Sequence, residues 1–363
     1  MKEVQVNLGK RSYSILIEAG GLASLGLHLR RLRVGSKVAC LTEPIVWRLH
    51  GKSFESGLKE FTLTRIELPS GEDAKQLSWA EHSWSACLEA GLDRGSTIVA
   101  LGGGAVGDLA GFVAATYMRG IAFVQVPTTI LAQVDASIGG KVAINHPKAK
   151  NLIGAFHQPR LVLIDPMLLQ TLPDREYRSG LVEVVKHGIA LDANYFHDLE
   201  RNREKILAKD FPVLEEVIAG SCRLKARIVE ADEEEEGGLR ALLNYGHTVG
   251  HALEAVTNYQ QWLHGEAVSI GIVAAAKIAN RLGLADLETV ERQVNLLKSL
   301  GLPISFRGLD PHLIVEALKR DKKAREGVVP FILVPKIGEA RLVYDVPRNL
   351  VLEVLDELRG KPV

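Results

Sequence analysis

Four short apolar runs punctuate the first half of the chain: Lys37–Leu41 (KVACL), Thr97–Leu101 (TIVAL), Ala122–Val126 (AFVQV) and Leu161–Ile164 (LVLI). Apolar residues at consecutive positions leave no face for water, so such runs suit strands covered on both sides. Helix-like segments, among them Ala74–Ala90 and Val106–Tyr117, lie between them. Strands and helices in alternation build a parallel sheet. The texture changes after Thr171-Leu172-Pro173-Asp174. From there helical patterns dominate: Glu176–Ala190, Asn194–Ala208, Val213–Glu230, Ala241–Thr257, Glu266–Leu282, Leu287–Leu300 and Pro311–Lys319. A short strand pair, Val328–Val334 and Ala340–Tyr344, comes late, and the acidic stretch Glu230–Glu236 reads as a solvated loop. The expectation is an α/β domain with a Rossmann-like parallel sheet over residues 1–170 and a mostly α-helical domain over residues 171–363. The length of 363 residues agrees, since one core usually serves about 100–200 residues.

Charge and cysteine usage narrow the function. Lys plus Arg and Asp plus Glu both number 44, so no net charge draws the chain to nucleic acid or to an anionic membrane. The three cysteines, Cys40, Cys87 and Cys222, match neither a disulfide framework nor a thiolate zinc site, and suit a reducing compartment. The N-terminal stretch alternates like a strand and lacks the apolar core of a signal peptide. No run of about 18 apolar residues occurs. A cytoplasmic protein is expected. There is no GxSxG string and no cysteine in a nucleophile context, so nothing supports covalent acyl chemistry.

Three groups of residues point to chemistry. Gly102-Gly103-Gly104-Ala105-Val106-Gly107-Asp108 follows the TIVAL strand and opens a helix. Glycine lets backbone approach a phosphate closely, and a helix N-terminus offers free N–H groups and a positive dipole end. A nucleotide fits, but the acid expected about 20 residues on is missing, since that position reads Gln125-Val126-Pro127-Thr128, which argues against an ordinary Rossmann arrangement. Secondly, His247 and His251 stand four apart in Asn244-Tyr245-Gly246-His247-Thr248-Val249-Gly250-His251 and share a helix face. His264 follows 13 residues later, and Glu183 interrupts an apolar helix, where a charge is costly unless paired or bound to metal. Two histidines and a carboxylate around an open position make a usual catalytic zinc set. Spacing alone does not decide whether His251 or His264 is the second histidine. Thirdly, Arg119, Lys141, Lys150 with Asn151, Lys186, Lys225, Arg240 and Lys322-Lys323 supply cations near these motifs, suited to phosphate or carboxylate.

Taken together, these strings resemble the 3-dehydroquinate synthase family. The likeness is nearly word for word in GGGAVGDLAGFVAATYMRG, VQVPTTILAQVDASIGGKVAINHP and KNLIGAFHQP. It continues in LVEVVKHG, GLRALLNYGHTVGHALE and HGEAVSIGIVAAA, covering roughly residues 60–335. The resemblance implies conversion of 3-deoxy-arabino-heptulosonate 7-phosphate to 3-dehydroquinate and phosphate, the second step of the shikimate pathway. NAD would oxidise a ring hydroxyl, phosphate would leave, the ketone would be reduced back, and an aldol step would close the carbocycle. It also implies a site in the cleft between the domains, a divalent metal suited to zinc or cobalt, and a homodimer.

Carried over residue by residue, the resemblance makes Glu183, His247 and His264 the metal ligands, with His251 a polar site residue. NAD would contact Glu72, Lys75, Gly103, Gly104, Ala105, Val106, Gly107, Asp108, Thr128, Thr129, Leu168, Leu169, Gln170 and Thr171. Asp135, Lys141, Lys150 and Asn151 would sit where cofactor and substrate meet. Lys186, Lys225, Arg240, Asn244 and one of Lys322 or Lys323 would bind the substrate's carboxylate and phosphate, and Arg119 would reach a neighbouring subunit's site. The chain departs from the family at Leu41-Thr42-Glu43-Pro44, where a Thr-Asn or Thr-Asp pair usually contacts adenosine, and in an acidic loop one residue longer before Gly237. Rival readings are a deoxy-inosose or valiolone type of cyclase and a metal-dependent alcohol dehydrogenase. Arg240, Asn244 and His251 together favour a substrate bearing a carboxylate, and a dehydrogenase would release NADH stoichiometrically.

Overall fold

The structure is a computed structural model that describes residues 1–318 and 329–360. The chain forms two compact units, one of Met1–Pro173 with Leu214–Glu234, the other of Asp174–Val213 with Glu235–Val363.

The strands of the first unit are β1 (Lys2–Val6), β2 (Tyr13–Ile17), β3 (Lys37–Thr42), β4 (Thr62–Glu67), β5 (Thr97–Gly102), β6 (Ala122–Pro127), β7 (Lys141–His146), β8 (Ala149–Phe156) and β9 (Leu161–Ile164). Seven of them form one sheet in the order β1-β2-β9-β6-β5-β3-β4, parallel throughout except where β1 meets β2. Helices α1 (Leu25–Arg31), α2 (Pro44–Gly57), α3 (Leu77–Glu89) and α4 (Gly104–Thr116) cover it. Side chains alternate across each strand. Ala39, Leu41, Ile98 and Ala100 therefore join Ala80 and Cys87 of α3 and Leu109 and Val113 of α4 in one core. Val38, Cys40, Val99 and Leu101 join Leu25 and Leu29 of α1 and Phe54 of α2 in the other. Two covered faces explain why these strands are apolar at most positions.

The β7–β8 hairpin is an element that the apolar runs do not announce. It lies outside the main sheet, and only the inward residues of β7, Val142 and Ile144, join the core. Its strand β8 is mostly exposed, so the two-sided signature is absent. The acidic stretch also differs from a free loop. Glu230 is still helical and accepts from the Asn7 backbone N–H at 2.7 Å, while Glu233 pairs with Arg11 at 2.6 Å and accepts from Gln158 at 3.0 Å. These bonds tie it to the start of the sheet.

The remaining helices are α5 (Asp174–Leu191), α6 (Ala193–Leu207), α7 (Phe211–Ala231), α8 (His247–Val256), α9 (His264–Arg281), α10 (Leu287–Ser299), α11 (Pro311–Leu318) and α12 (Arg348–Leu358). From Leu214 onward α7 belongs to the first unit. A hairpin of β10 (Phe331–Lys336) and β11 (Glu339–Val343) completes the second. Val328 and Lys319, placed by the sequence in a strand and a helix, lie outside the described residues. Helices α5 and α9 are buried nearly all round and form the centre of their unit. The segment Ala241–Thr257, expected as one helix, is broken. A 3₁₀ stretch, Leu239–Asn244, ends at Tyr245, and Gly246 turns the chain with φ 80° so that α8 starts afresh at His247.

Candidate metal centre and phosphate cradle

Three helices of the second unit each bring one side chain to a common point. Glu183 sits midway along α5 and is fully buried, while His247 and His264 are the first residues of α8 and α9. Missing side chains let these helices meet so closely. A Cβ on Gly265 would fall 1.9 Å from the Ser179 carbonyl oxygen of α5, one turn before Glu183. A Cβ on Gly271 would fall 1.9 Å from the carbonyl oxygen of Gly246, the residue before His247. Glycine at these two positions sets the spacing of the three polar groups.

The Glu183 carboxylate pairs through Oε2 with the ammonium of Lys186, which is also buried. Its Oε1 faces Nε2 of His264 at 3.6 Å and Nε2 of His247 at 3.8 Å. Those separations are long for hydrogen bonds. They suit donors arranged about a divalent ion at roughly 2.0–2.2 Å from each. The other ring nitrogens have their own partners: His247 Nδ1 lies 3.2 Å from the Tyr245 carbonyl oxygen, and His264 Nδ1 lies 3.3 Å from Glu254 Oε1. Ligand atoms of Glu183, His247 and His264 all lie within 4.8 Å of one another. His251, exposed one turn along α8, gathers instead with Glu254 and His264.

Electrostatics agrees with a place for a cation. Burial works to raise the Glu183 carboxyl, yet the Lys186 ammonium and the facing imidazoles hold it well below the usual carboxylate range. Burial and then Lys186 push His247 well below the ordinary imidazole value, which keeps it a neutral donor. Burial would lower His264 too, but the carboxylates of Glu183 and Glu254 outweigh it and push the ring up to about 10. One positive charge is wanted between those carboxylates, and a metal ion can take the proton's place. Arg240, buried, and Asn244, half-buried, stand on the 3₁₀ stretch just before the Gly246 turn. Lys322 and Lys323 lie outside the described residues.

In the first unit the glycine string does join a parallel strand to a helix. Gly103 is extended at the end of β5, and α4 starts at Gly104. Crowding accounts for the small residues: a Cβ on Gly103 would meet Thr129 Cγ2 at 3.3 Å, one on Gly104 would meet Ala136 Cβ at 3.2 Å, and one on Gly107 would meet Gln125 Oε1 at 2.7 Å. Val106 is buried beneath the turn and Ala105 half-buried, while the Thr128 N–H donates to the Gly102 carbonyl at 2.9 Å. Beside it, buried Lys75 donates to Asp108 Oδ2 at 2.6 Å and to Asn151 Oδ1. Burial raises the Asp108 carboxyl, with Lys75 opposing it. Asn145 extends the network, donating to Glu72 Oε2 at 2.6 Å and accepting from the Asn151 N–H at 3.1 Å, and Lys150 stands 3.9 Å from Glu72. Asp135 lies in a single π-turn, Ala132–Ala136, where Lys225 donates to its carbonyl at 2.5 Å and pairs with its carboxylate.

Other expected residues are more dispersed. Lys141 is exposed at the start of β7. Leu168 and Leu169 are buried in the 3₁₀ turn Pro166–Thr171, with Gln170 and Thr171 exposed, and Thr171 Oγ1 lies 2.9 Å from His50 Nε2. Arg119 is exposed on a turn with φ 66°. The acid missing after β6 has a spatial counterpart at the end of β3, the other neighbour of β5, where Glu43 accepts from the Gly71 N–H at 2.6 Å. Sequence reading missed Asn145 and Glu254. Glu254 had a signal, since it follows His247 by seven residues and His251 by three, on one helix face.

Comparison with solved proteins places this fold among the sugar-phosphate cyclases. A 2-epi-5-epi-valiolone synthase from Streptomyces hygroscopicus, with NAD+ and Zn2+ bound, superposes with a TM-score of 0.86 at 28% identity, covering 99% of this chain and 98% of that one. A 2-deoxy-scyllo-inosose synthase complexed with carbaglucose-6-phosphate, NAD+ and Co2+ gives 0.87 at 28% identity, covering 98% and 99%. Residues 65–179 match the family model of the 3-dehydroquinate synthase N-terminal region, and residues 180–324 that of its C-terminal region. The 3-dehydroquinate synthase of Pelotomaculum thermopropionicum is 51% identical over 358 residues, 98% of this chain and 96% of its own length. That of Pelobacter propionicus is 49% identical over 365 residues, 100% of both. The chain belongs to the 3-dehydroquinate synthase family.

Proposed function

We propose that this chain converts 3-deoxy-D-arabino-heptulosonate 7-phosphate into 3-dehydroquinate and phosphate, using NAD and one divalent ion, zinc or cobalt. The observation that carries the reading is the Glu183–His247–His264 cluster, its first two residues buried and the third half-buried, within a chain of this family. The groups bound in the two solved cyclases support the choice of cofactors. When bound, NAD supplies a reversible hydride acceptor and the ion supplies Lewis acidity at a substrate hydroxyl.

The chain's own residues hold and orient. Glu183, His247 and His264 are the ligands. The free N–H groups at the start of α4 and the crowded glycines beside them take the dinucleotide's phosphates, and the network of Glu72, Lys75, Asp108 and Asn145 braces that side. Asp135, Lys141, Lys150 and Asn151 sit toward the substrate. Arg240 offers a planar guanidinium suited to two bonds with the substrate carboxylate, and Lys186 and Lys225 act as point charges for its anionic groups. Arg240, Asn244 and His251 together favour the heptulosonate over sugar phosphates lacking a carboxylate. The reading extends to a homodimer, supported by exposed Arg119 on its strained turn. It extends also to the cytoplasm, supported by three cysteines that are all free and buried.

The test is phosphate release from the heptulosonate with zinc and NAD present, while absorbance for NADH is followed. Phosphate without NADH build-up is expected. NADH build-up without phosphate would assign a dehydrogenase, and turnover of glucose 6-phosphate or sedoheptulose 7-phosphate alone would assign another cyclase.

A further inference from the structure

We infer that Glu254 is a positioning residue whose carboxylate aims His264 at the metal position. The inference rests on the ligand set proposed above and concerns a residue outside it. Glu254 lies on α8, seven residues past His247, and is 8% exposed. Its Oε1 stands 3.3 Å from His264 Nδ1, while His264 Nε2 on the far side of the ring faces Glu183 Oε1 at 3.6 Å. Each neutral imidazole has one N–H and one lone pair. A carboxylate at Nδ1 can only accept, so the N–H belongs there. Once a metal ion displaces the ring's second proton, the lone pair is left on Nε2, pointing at a second carboxylate. Two acceptors facing each other need a cation between them, and the ring is held ready to share one with Glu183.

The two histidines are thus anchored differently. His247 Nδ1 has the neutral Tyr245 carbonyl and His264 Nδ1 a full negative charge. A carboxylate behind a ligating imidazole raises its donor strength and locks its orientation, and losing such a partner typically weakens metal binding about 10- to 100-fold. The connection also runs along the fold. Glu254 and His247 share α8, so the helix that delivers one ligand also orients the ligand of α9.

The experiment measures zinc affinity of the metal-stripped full-length chain by competition with a chromophoric chelator, for wild type, Glu254→Gln, Glu254→Ala and His264→Ala. The glutamine keeps the acceptor oxygen and the volume, so it reports on charge even where the alanine folds poorly. Expected is a graded loss, about 10-fold for Glu254→Gln and up to about 100-fold for Glu254→Ala. The visible absorption of the cobalt-loaded alanine variant should change too. Affinities within twofold of wild type in both variants overturn the inference, as does a lowered melting temperature with unchanged affinity, which would assign Glu254 to helix packing. Undiminished zinc binding by His264→Ala would instead remove the ligand set, and this inference with it.

Discussion

Replacing Gly271 by alanine tests whether close helix contact places the proposed metal ligands. The added Cβ would stand 1.9 Å from the Gly246 carbonyl oxygen and 2.9 Å from both the Gly246 carbonyl carbon and the Gly250 nitrogen, against a practical minimum of 3.0 Å. All three atoms are backbone, so no rotamer change relieves the clash. The start of α8 must withdraw from α9 by at least about 1 Å, at a cost of about 1–3 kcal/mol for overpacking. For a chain of this size that lowers the melting temperature by roughly 1–4 °C. His247 follows Gly246 directly, and ligand distances tolerate only about 0.2 Å, so zinc affinity should fall at least ~10-fold beyond the loss of stability. Thermal melts with and without zinc, alongside chelator competition, read both quantities. Gly283→Ala is the control. That glycine has φ +69° but nothing within 4 Å, so alanine there strains the backbone by about 1–2 kcal/mol and should leave zinc affinity unchanged. Wild-type stability and affinity in Gly271→Ala would refute the claim that this contact fixes His247.

Two further outcomes follow from the same cluster. Glu183→Ala should abolish zinc retention and turnover, and should cost about 3–5 kcal/mol because it strands the buried Lys186 ammonium; full zinc content after dialysis would show that Glu183 is not a ligand. His264, held up to about 10 by its carboxylates, contributes stability to the metal-free chain that is complete below pH 6.5 and is lost as pH rises from there through about 10. The melting-temperature advantage of wild type over metal-free His264→Ala should therefore shrink between about pH 6 and about pH 9, and persist when saturating zinc replaces the proton. An advantage independent of pH without metal would contradict the arrangement.

Much of the architecture was legible because burial leaves period and composition in the chain. TIVAL and LVLI are almost wholly apolar since helices cover both faces of the sheet, and α9 reads as helix because its small and branched residues fill a unit's centre. Exposed elements left a weaker trace, which is why β8, with no buried residue, went unseen. The break at Gly246 was hidden for another reason. A glycine inside a helical pattern is compatible with a continuous helix, and only packing against Gly271 makes the turn necessary.

The sequence by itself determined the alternation of strand and helix in the first half, the helical second half, the glycine turn before α4, and the residue types of the proposed metal ligands. It also carried the family, through motifs long enough to need no geometry. Tertiary structure alone decided which histidine stands with Glu183. His247 and His251 share a helix face by spacing, but the start of α9 is carried to Glu183 by Gly265 lying against Ser179. It likewise decided that Glu254 backs His264 and that Asn145 braces Glu72. Spacing along one helix is a local property and survives in the sequence; a meeting of side chains from three helices depends on how closely their backbones approach, which no single segment encodes.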